Sequence, residues 1–388
     1  MNILIVPSWY KTKSNPTLGS FFFEQAQMLK DIGNTVIIAD VTFQSKKDYF
    51  SGRCYKLLRE EDEGIIVYSY VIPSFGRFNQ DGGGANSVYK NLRKVYQRII
   101  KDGFRIDLVH AHSYLPAGIA ATRFAKEEGI PVVVTEHSSD LLSTNVEGVR
   151  ASLLSEVVES CDKFICVSNK LKESVLNITK CDESKVTVIP NVVDSMFEYN
   201  SSEHKHNFTF ISIGNLIQRK RFDLTIDAFS KAFKKDENVK LKIIGDGTLR
   251  TNLEDRVRAL GEDKRISFLG RMERKEVVKH LQEADCLVLP SDYETFGVAY
   301  IEALAVGNPV IGTKNGGSED IINLENGILV DKDDVNQLSK AMRCIYTEID
   351  NYDRLQIASS TMQKYGRAAI GNEIKKIYLN LIKNELEN

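Results

Sequence analysis

Pro290-Ser-Asp-Tyr-Glu-Thr-Phe-Gly-Val-Ala-Tyr-Ile-Glu302 follows the apolar run Leu287-Val288-Leu289. The run reads as a buried strand, Pro290 stops it, and Phe296 to Val306 has helical periodicity. Strand, polar loop and helix form the unit that holds a ligand at the carboxyl end of a parallel sheet. Free N–H groups in the loop and at the helix N-terminus favour an anion such as a phosphate. Glu294 lies in the loop and Glu302 in the helix, with seven residues between them. They need not share a face; they suit different parts of one long ligand, such as the sugar and the ribose of a sugar nucleotide.

Around this unit the second half of the chain alternates strand and helix. Strands are expected at 208–213, 239–244, 266–269, 286–289, 310–312 and 327–330. Helices are expected at 224–233, 249–260, 275–283 and 335–349. The first half alternates too, with strands at 2–6, 35–41, 65–72, 107–110, 131–135, 163–167 and 186–189. Its helices are expected from Ser20, as a capping residue, to Asp31, and at 87–101, 115–128 and 150–160. Residues 44–63 read as charged, irregular surface, and Asp81-Gly-Gly-Gly84 as a flexible loop. Such alternation predicts α/β architecture with doubly wound, mostly parallel sheets. The polar stretch from Ser195 to Asn207 lacks period and reads as a linker. The expected division is therefore 1–200 and 201–364. An amphipathic helix at 365–388 presents Ile374, Ile377, Tyr378, Leu381 and Ile382 on one side and is expected to pack back on the first domain. Two such domains are expected to face a central cleft, where small molecules bind.

The totals set limits. The chain has 388 residues, 42% hydrophobic, with a formal net charge of −2. That is enough apolar content for packed cores, and no bulk basic character points to nucleic acid. Six cysteines, Cys54, Cys161, Cys166, Cys181, Cys286 and Cys344, are scattered without a C-x-x-C pair. They read as reduced thiols of a cytosolic protein. Met1-Asn-Ile-Leu-Ile-Val6 reads as a first strand rather than a signal peptide. No apolar stretch approaches the ~18 residues of a membrane span.

Several loops offer chemistry. Gly214-Asn-Leu-Ile-Gln-Arg-Lys-Arg-Phe-Asp223 puts Arg219 and Lys220 between a strand and a helix. Two cations there suit a diphosphate, arginine by forked hydrogen bonds and lysine as a point charge. Gly245-Asp246-Gly247 is half of a dinucleotide fingerprint, equally readable as packing or as ligand contact. Gly316-Gly317 allow close backbone approach, and a helix expected at Ser318, with Glu319 in its first turn, would offer N–H groups to an anion. In the first half, His110-Ala-His112 and Glu136-His137 end neighbouring strands. A zinc reading of these residues is outweighed by one in which His112 and His137 hydrogen-bond a sugar hydroxyl or a backbone carbonyl. His110 is expected to point into the sheet, alternating with His112. Gly19 suits close approach of a phosphate to the first helix, or a turn with positive φ. The basic helix 90–101, with Lys90, Arg93, Lys94, Arg98 and Lys101, reads as a solvated face or as a contact with acidic lipid.

Glu294-x7-Glu302 with Thr295-Phe296-Gly297 resembles the E-x7-E motif of the retaining glycosyltransferases of family 4. Pro7-Ser-Trp-Tyr10, Gly19-Ser-Phe-Phe-Phe-Glu24, Val109-His-Ala-His112, Thr135-Glu-His137 and Ile189-Pro-Asn-Val-Val-Asp194 are similar to its first-domain motifs. The loops at Gly214, Gly245 and Gly316 match its donor-site loops in order. The resemblance implies the glycosyltransferase B fold, two Rossmann-like domains with a nucleotide-sugar held mainly by the second. It implies that Arg219 and Lys220 neutralise the departing diphosphate and that Glu302 binds the ribose hydroxyls. Glu294 then lies beside the sugar with the Phe296-Gly297 backbone, Gly19 clears room for phosphates, and His112 contacts the donor sugar. Gly214, Gly245, Asp246, Gly316 and Gly317 complete the donor side; His137, Trp9 and Tyr10 are the acceptor-side candidates. The chain departs from the pattern at Asn215, where arginine is common, and at Arg221 and Val192, where glycine is common.

The implied reaction is transfer from a nucleotide-sugar co-substrate, UDP-sugar first and GDP second, with front-face attack by the acceptor hydroxyl. No D-x-D motif is placed to hold a metal, and no cofactor is implied. The implied acceptor is a glycan or lipid-linked molecule in bacterial surface polysaccharide assembly. The implied location is the cytoplasm, with or without peripheral contact at the inner membrane face. Loops 7–19, 44–63 and 74–86 are expected to choose the acceptor. A sugar-nucleotide epimerase on the same fold and a non-catalytic sugar-nucleotide-binding subunit are the competing readings. A dehydrogenase is weaker, because no G-x-G-x-x-G follows the first strand.

Overall fold

The computed structural model describes residues 1–11, 18–44, 56–73, 83–143, 146–200, 207–234 and 236–387. Among the described residues of the first half, ten strands form: β1 (Asn2–Pro7), β2 (Thr35–Asp40), β3 (Phe43–Gln44), β4 (Leu57–Asp62), β5 (Ile65–Tyr70), β6 (Ile72–Pro73), β7 (Leu108–His112), β8 (Val132–Glu136), β9 (Lys163–Cys166) and β10 (Val186–Val188). Eight of them make one sheet in the order β10-β9-β8-β7-β1-β2-β5-β4. β1, β7 and β8 are buried at nearly every position, as strands covered on both faces must be. The order reverses between β1 and β7, whose register pairs Pro7 with His112, and β7 in turn pairs His112 with Thr135 of β8. Trp9, His112 and His137 thus come from neighbouring carboxyl ends.

The second half has β11 (Phe208–Ile213), β12 (Val239–Ile244), β13 (Ile266–Gly270), β14 (Cys286–Leu289), β15 (Val310–Thr313) and β16 (Gly327–Val330). Their order is β13-β12-β11-β14-β15-β16, every pair parallel. This is a doubly wound sheet whose order reverses between β11 and β14. Ligands of such sheets bind outside the carboxyl ends at that switch point.

The chain divides into Met1–Val192 with Ala368–Asn388, and Val193–Arg367. The division falls before the expected 200/201. Val193 pairs with Gly366 as an isolated bridge, its N–H donates to the Tyr365 carbonyl at 2.9 Å, and Arg367 reaches Asp194 at 2.8 Å. Val193–Asn200 therefore belongs to the second unit rather than to a linker, while residues 201–206 lie outside the described ones. The last helix runs Arg367–Glu387, and its Ile370, Ile374 and Tyr378 are buried with Ile3, Ile5 and Met28 in the first unit's core.

Other expectations are corrected. Residues 57–62 are not irregular: β4 pairs antiparallel with β5 at the sheet edge, where Arg59, Glu60 and Glu61 face solvent. A charged edge strand carries no hydrophobic run and discourages further pairing. The helix expected at 87–101 starts at Gly83, so Gly83 and Gly84 are helical; Asp81 and Gly82 lie outside the described residues, as do 12–17, 45–55 and 74–80. The helix expected from Leu115 begins at Ile119 after a tight turn, Tyr114–Gly118. Two further helices, Asn169–Thr179 and Arg354–Tyr365, form behind caps in which Ser168 accepts from the Leu171 N–H and Asp353 from the Gln356 N–H. Among the described residues no helix is long and apolar enough to cross a membrane.

Candidate active site

The second unit gathers its candidates at the switch point. Leu287-Val288-Leu289 is fully buried in β14, and the Gly297 backbone, at φ 95°, starts the helix Val298–Ala305. A side chain at Gly297 would place its Cβ 2.5 Å from Tyr300 Cδ2. The Tyr300 hydroxyl donates to the Leu289 carbonyl at 2.6 Å and ties helix to strand.

The loop between them is fixed to the loop after β11. Lys220 Nζ is ion-paired with Glu294, and Arg219 Nη1 lies 3.5 Å from the other Glu294 oxygen. Arg219 also donates to the Tyr293 carbonyl at 3.2 Å. Burial by itself would raise the Glu294 carboxyl; Lys220 and Arg219 reverse that and hold it below the usual carboxylate range. The site is thus an ionised, buried carboxylate with two cations on it.

Glu302, in the second turn of the helix, is 3% exposed. Its carboxylate accepts from Arg274 Nη1 at 2.5 Å, and the Arg274 guanidinium lies 4.9 Å from the Phe197 ring centroid. Burial, with Asp194 nearby, keeps Glu302 above the usual carboxylate range against the pull of Arg274. The sequence reading missed Arg274. It is the first residue of the helix Arg274–Gln282, inside a run of alternating charges that gives no sign which of them turns inward.

The glycine loops prove to be close packing. A Cβ at Gly245 would lie 1.8 Å from the Gly214 carbonyl oxygen, and one at Gly247 would lie 2.5 Å from that of Leu216. The Leu216 N–H donates to the Asp246 carbonyl at 3.0 Å, so the loops after β11 and β12 lie backbone to backbone. Asp246 itself is exposed, its carboxylate accepting from the Gly247 N–H. Gly317 would put a Cβ 2.7 Å from the Glu294 carbonyl and from Phe296 backbone atoms. It therefore seats the Glu294 loop. Phe296 is buried, edge-on to Tyr365 at 5.7 Å.

The helix expected at Ser318 is a three-residue turn, Ser318–Asp320. Its anion is already present: Glu319 accepts from the N–H groups of Asn315 at 3.1 Å and Gly316 at 2.8 Å. One D-x-D spacing exists, Asp331-Lys-Asp333. Its carboxylates are ion-paired, Asp331 with Lys314 at 2.7 Å and Asp333 with Arg221.

The first unit gathers the rest. Gly19, not Ser20, precedes the helix Ser20–Asp31, with φ 71° and its carbonyl accepting from the Phe22 N–H at 3.0 Å. Trp9, Phe21 and Phe22 pack together, Phe22 4.7 Å from His112 and Phe21 4.8 Å from His137. His112 Nδ1 meets His137 Nε2 at 3.1 Å, while His112 Nε2 is buried without a hydrogen-bond partner among the described residues. Tyr10 is a core residue, 6% exposed beside Ile3 and Ile5. Trp9 stays partly exposed, so of the acceptor-side pair it is the one with surface to offer.

His110 does not alternate with His112. Residues two apart on a strand share a face, and the two rings stack at 4.5 Å. His110 is anchored by the Tyr378 hydroxyl at 2.5 Å and Thr135 Oγ1 at 2.7 Å. Burial lowers His110 and His137 to about 3, and lowers His112 as well. Glu136, pushed up to about 7 by burial, accepts from the N–H groups of Tyr114, His137 and Ser138. It closes the turn after β8 instead of facing the histidines as a metal ligand.

Two parallel-sheet α/β units of this kind make the glycosyltransferase B fold. The comparisons agree: sucrose-phosphate synthase of Thermosynechococcus elongatus superposes with a TM-score of 0.79 at 17% identity, covering 99% of this chain and 100% of that one. Anabaena Alr3699/HepE, solved in complex with UDP-glucose, gives 0.73 at 18% identity over 98% and 100%. Residues 19–196 match the family model "Glycosyltransferase Family 4" and residues 197–361 the model "Glycosyl transferases group 1". The uncharacterized glycosyltransferase MJ1178 of Methanocaldococcus jannaschii is 31% identical over 284 residues, 72% of this chain and 75% of that protein. The chain belongs to the family-4 type of glycosyltransferases.

Proposed function

We propose that this glycosyltransferase moves a hexosyl group from a nucleotide-sugar, a UDP-sugar first, to a hydroxyl of a glycan or lipid-linked acceptor. The reading includes retention of anomeric configuration, independence of metal ions and a place in bacterial surface polysaccharide assembly. The observation that carries it is the pair of cations, Arg219 and Lys220, on Glu294 at the switch point of the second unit. A departing nucleoside diphosphate gathers negative charge, and preorganised cations stabilise that charge without reorganising. Glu294 holds both cations in place and presents its carboxylate beside the sugar. Glu302, aimed by Arg274, takes the ribose hydroxyls. Gly19 opens the helix Ser20–Asp31, whose first N–H groups are the ones offered to phosphate, and His112 Nε2, without a partner among the described residues, is the group offered to a donor-sugar hydroxyl. The departing phosphate takes the acceptor proton on the face it leaves. HepE, crystallised with UDP-glucose, supports UDP as the first nucleotide to test.

The helix Gly83–Lys101 supports peripheral membrane contact. Lys90, Arg93, Lys94, Arg98 and Lys101 are exposed on it, with Ile100 44% exposed among them. Basic residues around an exposed apolar side chain suit an anionic lipid surface.

The test is nucleotide release from UDP-glucose, UDP-galactose, UDP-N-acetylglucosamine and GDP-mannose in EDTA, with product anomers read by NMR. One donor is expected to turn over with retention, and Lys220→Ala to lose turnover while still folded. Full activity in Lys220→Ala, inversion, or loss of activity in EDTA contradicts the corresponding part of the reading.

A further inference from the structure

We propose that Arg221 is a positioning residue that locks the cation–carboxylate clamp, an inference that rests on the nucleotide-sugar reading of Arg219, Lys220 and Glu294. Arg221 occupies the left-handed region, φ 51° and ψ 43°, where L side chains are disfavoured and glycine is at home. A non-glycine residue held there carries a backbone cost that its surroundings must offset. The guanidinium is largely enclosed and reaches three carboxylates. Nε and Nη2 donate to Asp223 at 3.3 Å each, Nη1 donates to Asp292 at 3.2 Å, and Nη1 also meets Asp333. Asp292 lies in the loop after β14, Asp333 in the loop after β16, and Asp223 in the first turn of the helix that follows Arg221.

The lacing with Asp292–Glu294 is residue by residue. Arg221 holds the Asp292 side chain, and the Asp292 N–H donates to the Arg219 carbonyl at 2.8 Å. Arg219 holds the Tyr293 carbonyl, and Lys220 holds Glu294. Lys220 therefore sits between two anchors on its own strand–helix loop. Without the Arg221 guanidinium, Asp223, Asp292 and Asp333 stand together uncompensated, and the loop that carries Glu294 loses one of its ties. Both effects weaken a diphosphate at Lys220: the first by repulsion, the second by misplacing the clamp, for which small displacements cost large factors.

The experiment titrates UDP into the wild type and into Arg221→Gly, Arg221→Ala, Arg221→Lys, Asp292→Asn, Arg221→Ala/Asp292→Asn and Lys220→Ala, with thermal unfolding of each. Arg221→Gly relieves the backbone, so its melting temperature is expected to stay near that of the wild type while UDP affinity falls about tenfold. Arg221→Lys recovers part of the affinity by returning the cation. The double variant binds more tightly than Arg221→Ala, because one stranded carboxylate has gone. Wild-type UDP affinity in folded Arg221→Gly and Arg221→Ala, with no rescue to observe, overturns the inference. A role confined to stability gives the opposite split, a lowered melting temperature with unchanged affinity, and overturns it too. If the Arg221 variants fail to fold, Asp292→Asn carries the test: it must weaken UDP binding, and unchanged affinity overturns the proposal. Unchanged UDP binding in Lys220→Ala overturns the donor reading itself, and this inference with it.

Discussion

Replacing Arg274 by methionine strips a buried carboxylate of its partner. Glu302 has a side chain 5% exposed, Arg274 one that is 24% exposed, and the two meet at 2.5 Å. Breaking a buried pair by removing one partner costs about 3–5 kcal/mol. A quarter of Arg274 meets water, and screening brings the expected loss to about 2–3 kcal/mol. Methionine also loses the guanidinium's contact with the Phe197 ring, worth about 0.5–1 kcal/mol, and the Glu302→Gln background separates that from the charge effect. Urea unfolding at pH 7.5 of the wild type, Arg274→Met, Glu302→Gln and the double variant measures it. The double variant is expected to recover more than half of the loss, since no charge is left unpaired. The loss also shrinks near pH 5, because Glu302, already above the usual carboxylate range, takes a proton there more readily. Arg274→Met within about 0.5 kcal/mol of the wild type, or a double variant no better than the single one, refutes the view that Arg274 neutralises Glu302.

Gly245→Ala, whose Cβ would lie 1.8 Å from the Gly214 carbonyl, is expected to lose about 3 kcal/mol or more, read as a fall in melting temperature. Gly129→Ala is the control: φ is 64° but no neighbour among the described residues lies within 4 Å, so only the backbone cost of about 1 kcal/mol remains. Tyr378→Phe leaves buried His110 Nδ1 without its partner and is expected to cost about 1–3 kcal/mol in urea unfolding. The pH dependence has a definite sign. His110, His112 and His137 are neutral when folded, with depressed pKa values, and bind protons on unfolding below about pH 6.5. Asp40, raised to about 6, and Glu136, raised to about 7, release protons on unfolding once the pH exceeds their unfolded values. His280, also lowered, adds to the uptake and Glu302, also raised, to the release, so four groups take up protons against three that release them, a net uptake of about one between roughly pH 4.5 and 6. Stability should therefore fall as pH is lowered through that window, by about 1.4 kcal/mol per pH unit. A flat or opposite slope in urea unfolding would contradict the assignments.

The second sheet was nearly all legible, because its strands are short apolar runs ended by glycine or proline loops. Phe208–Ile213, Val239–Ile244 and Cys286–Leu289 are bounded as the sequence predicts. β4 was not legible: an exposed edge strand has neither an apolar run nor alternation to show. Asn169–Thr179 could have been found from its Ser168 cap. In the site, Arg219, Lys220 and Glu294 announce themselves by lying after strand ends. Arg274 and the grip of Arg221 on three aspartates do not, since ion pairs between loops distant in sequence leave no local period. The histidine error was one of geometry and correctable from sequence, because residues 110 and 112 of a strand must face the same way. The glycines after β12 were ambiguous for a physical reason. Close backbone packing and close ligand approach both demand the missing Cβ, and only the neighbouring Gly214 carbonyl decides.

We read Arg219 and Lys220 as a site for a nucleoside diphosphate. Thermal unfolding with UDP, GDP, ADP and CMP, each with and without EDTA, in the wild type and Lys220→Ala, tests it most directly. A ligand at about a hundred times its Kd adds roughly 2.7 kcal/mol to the folded state. One nucleoside diphosphate is expected to raise the melting temperature of the wild type, equally in EDTA, and Lys220→Ala to lose most of the shift. No shift with any nucleotide, or the same shift in Lys220→Ala, would contradict it.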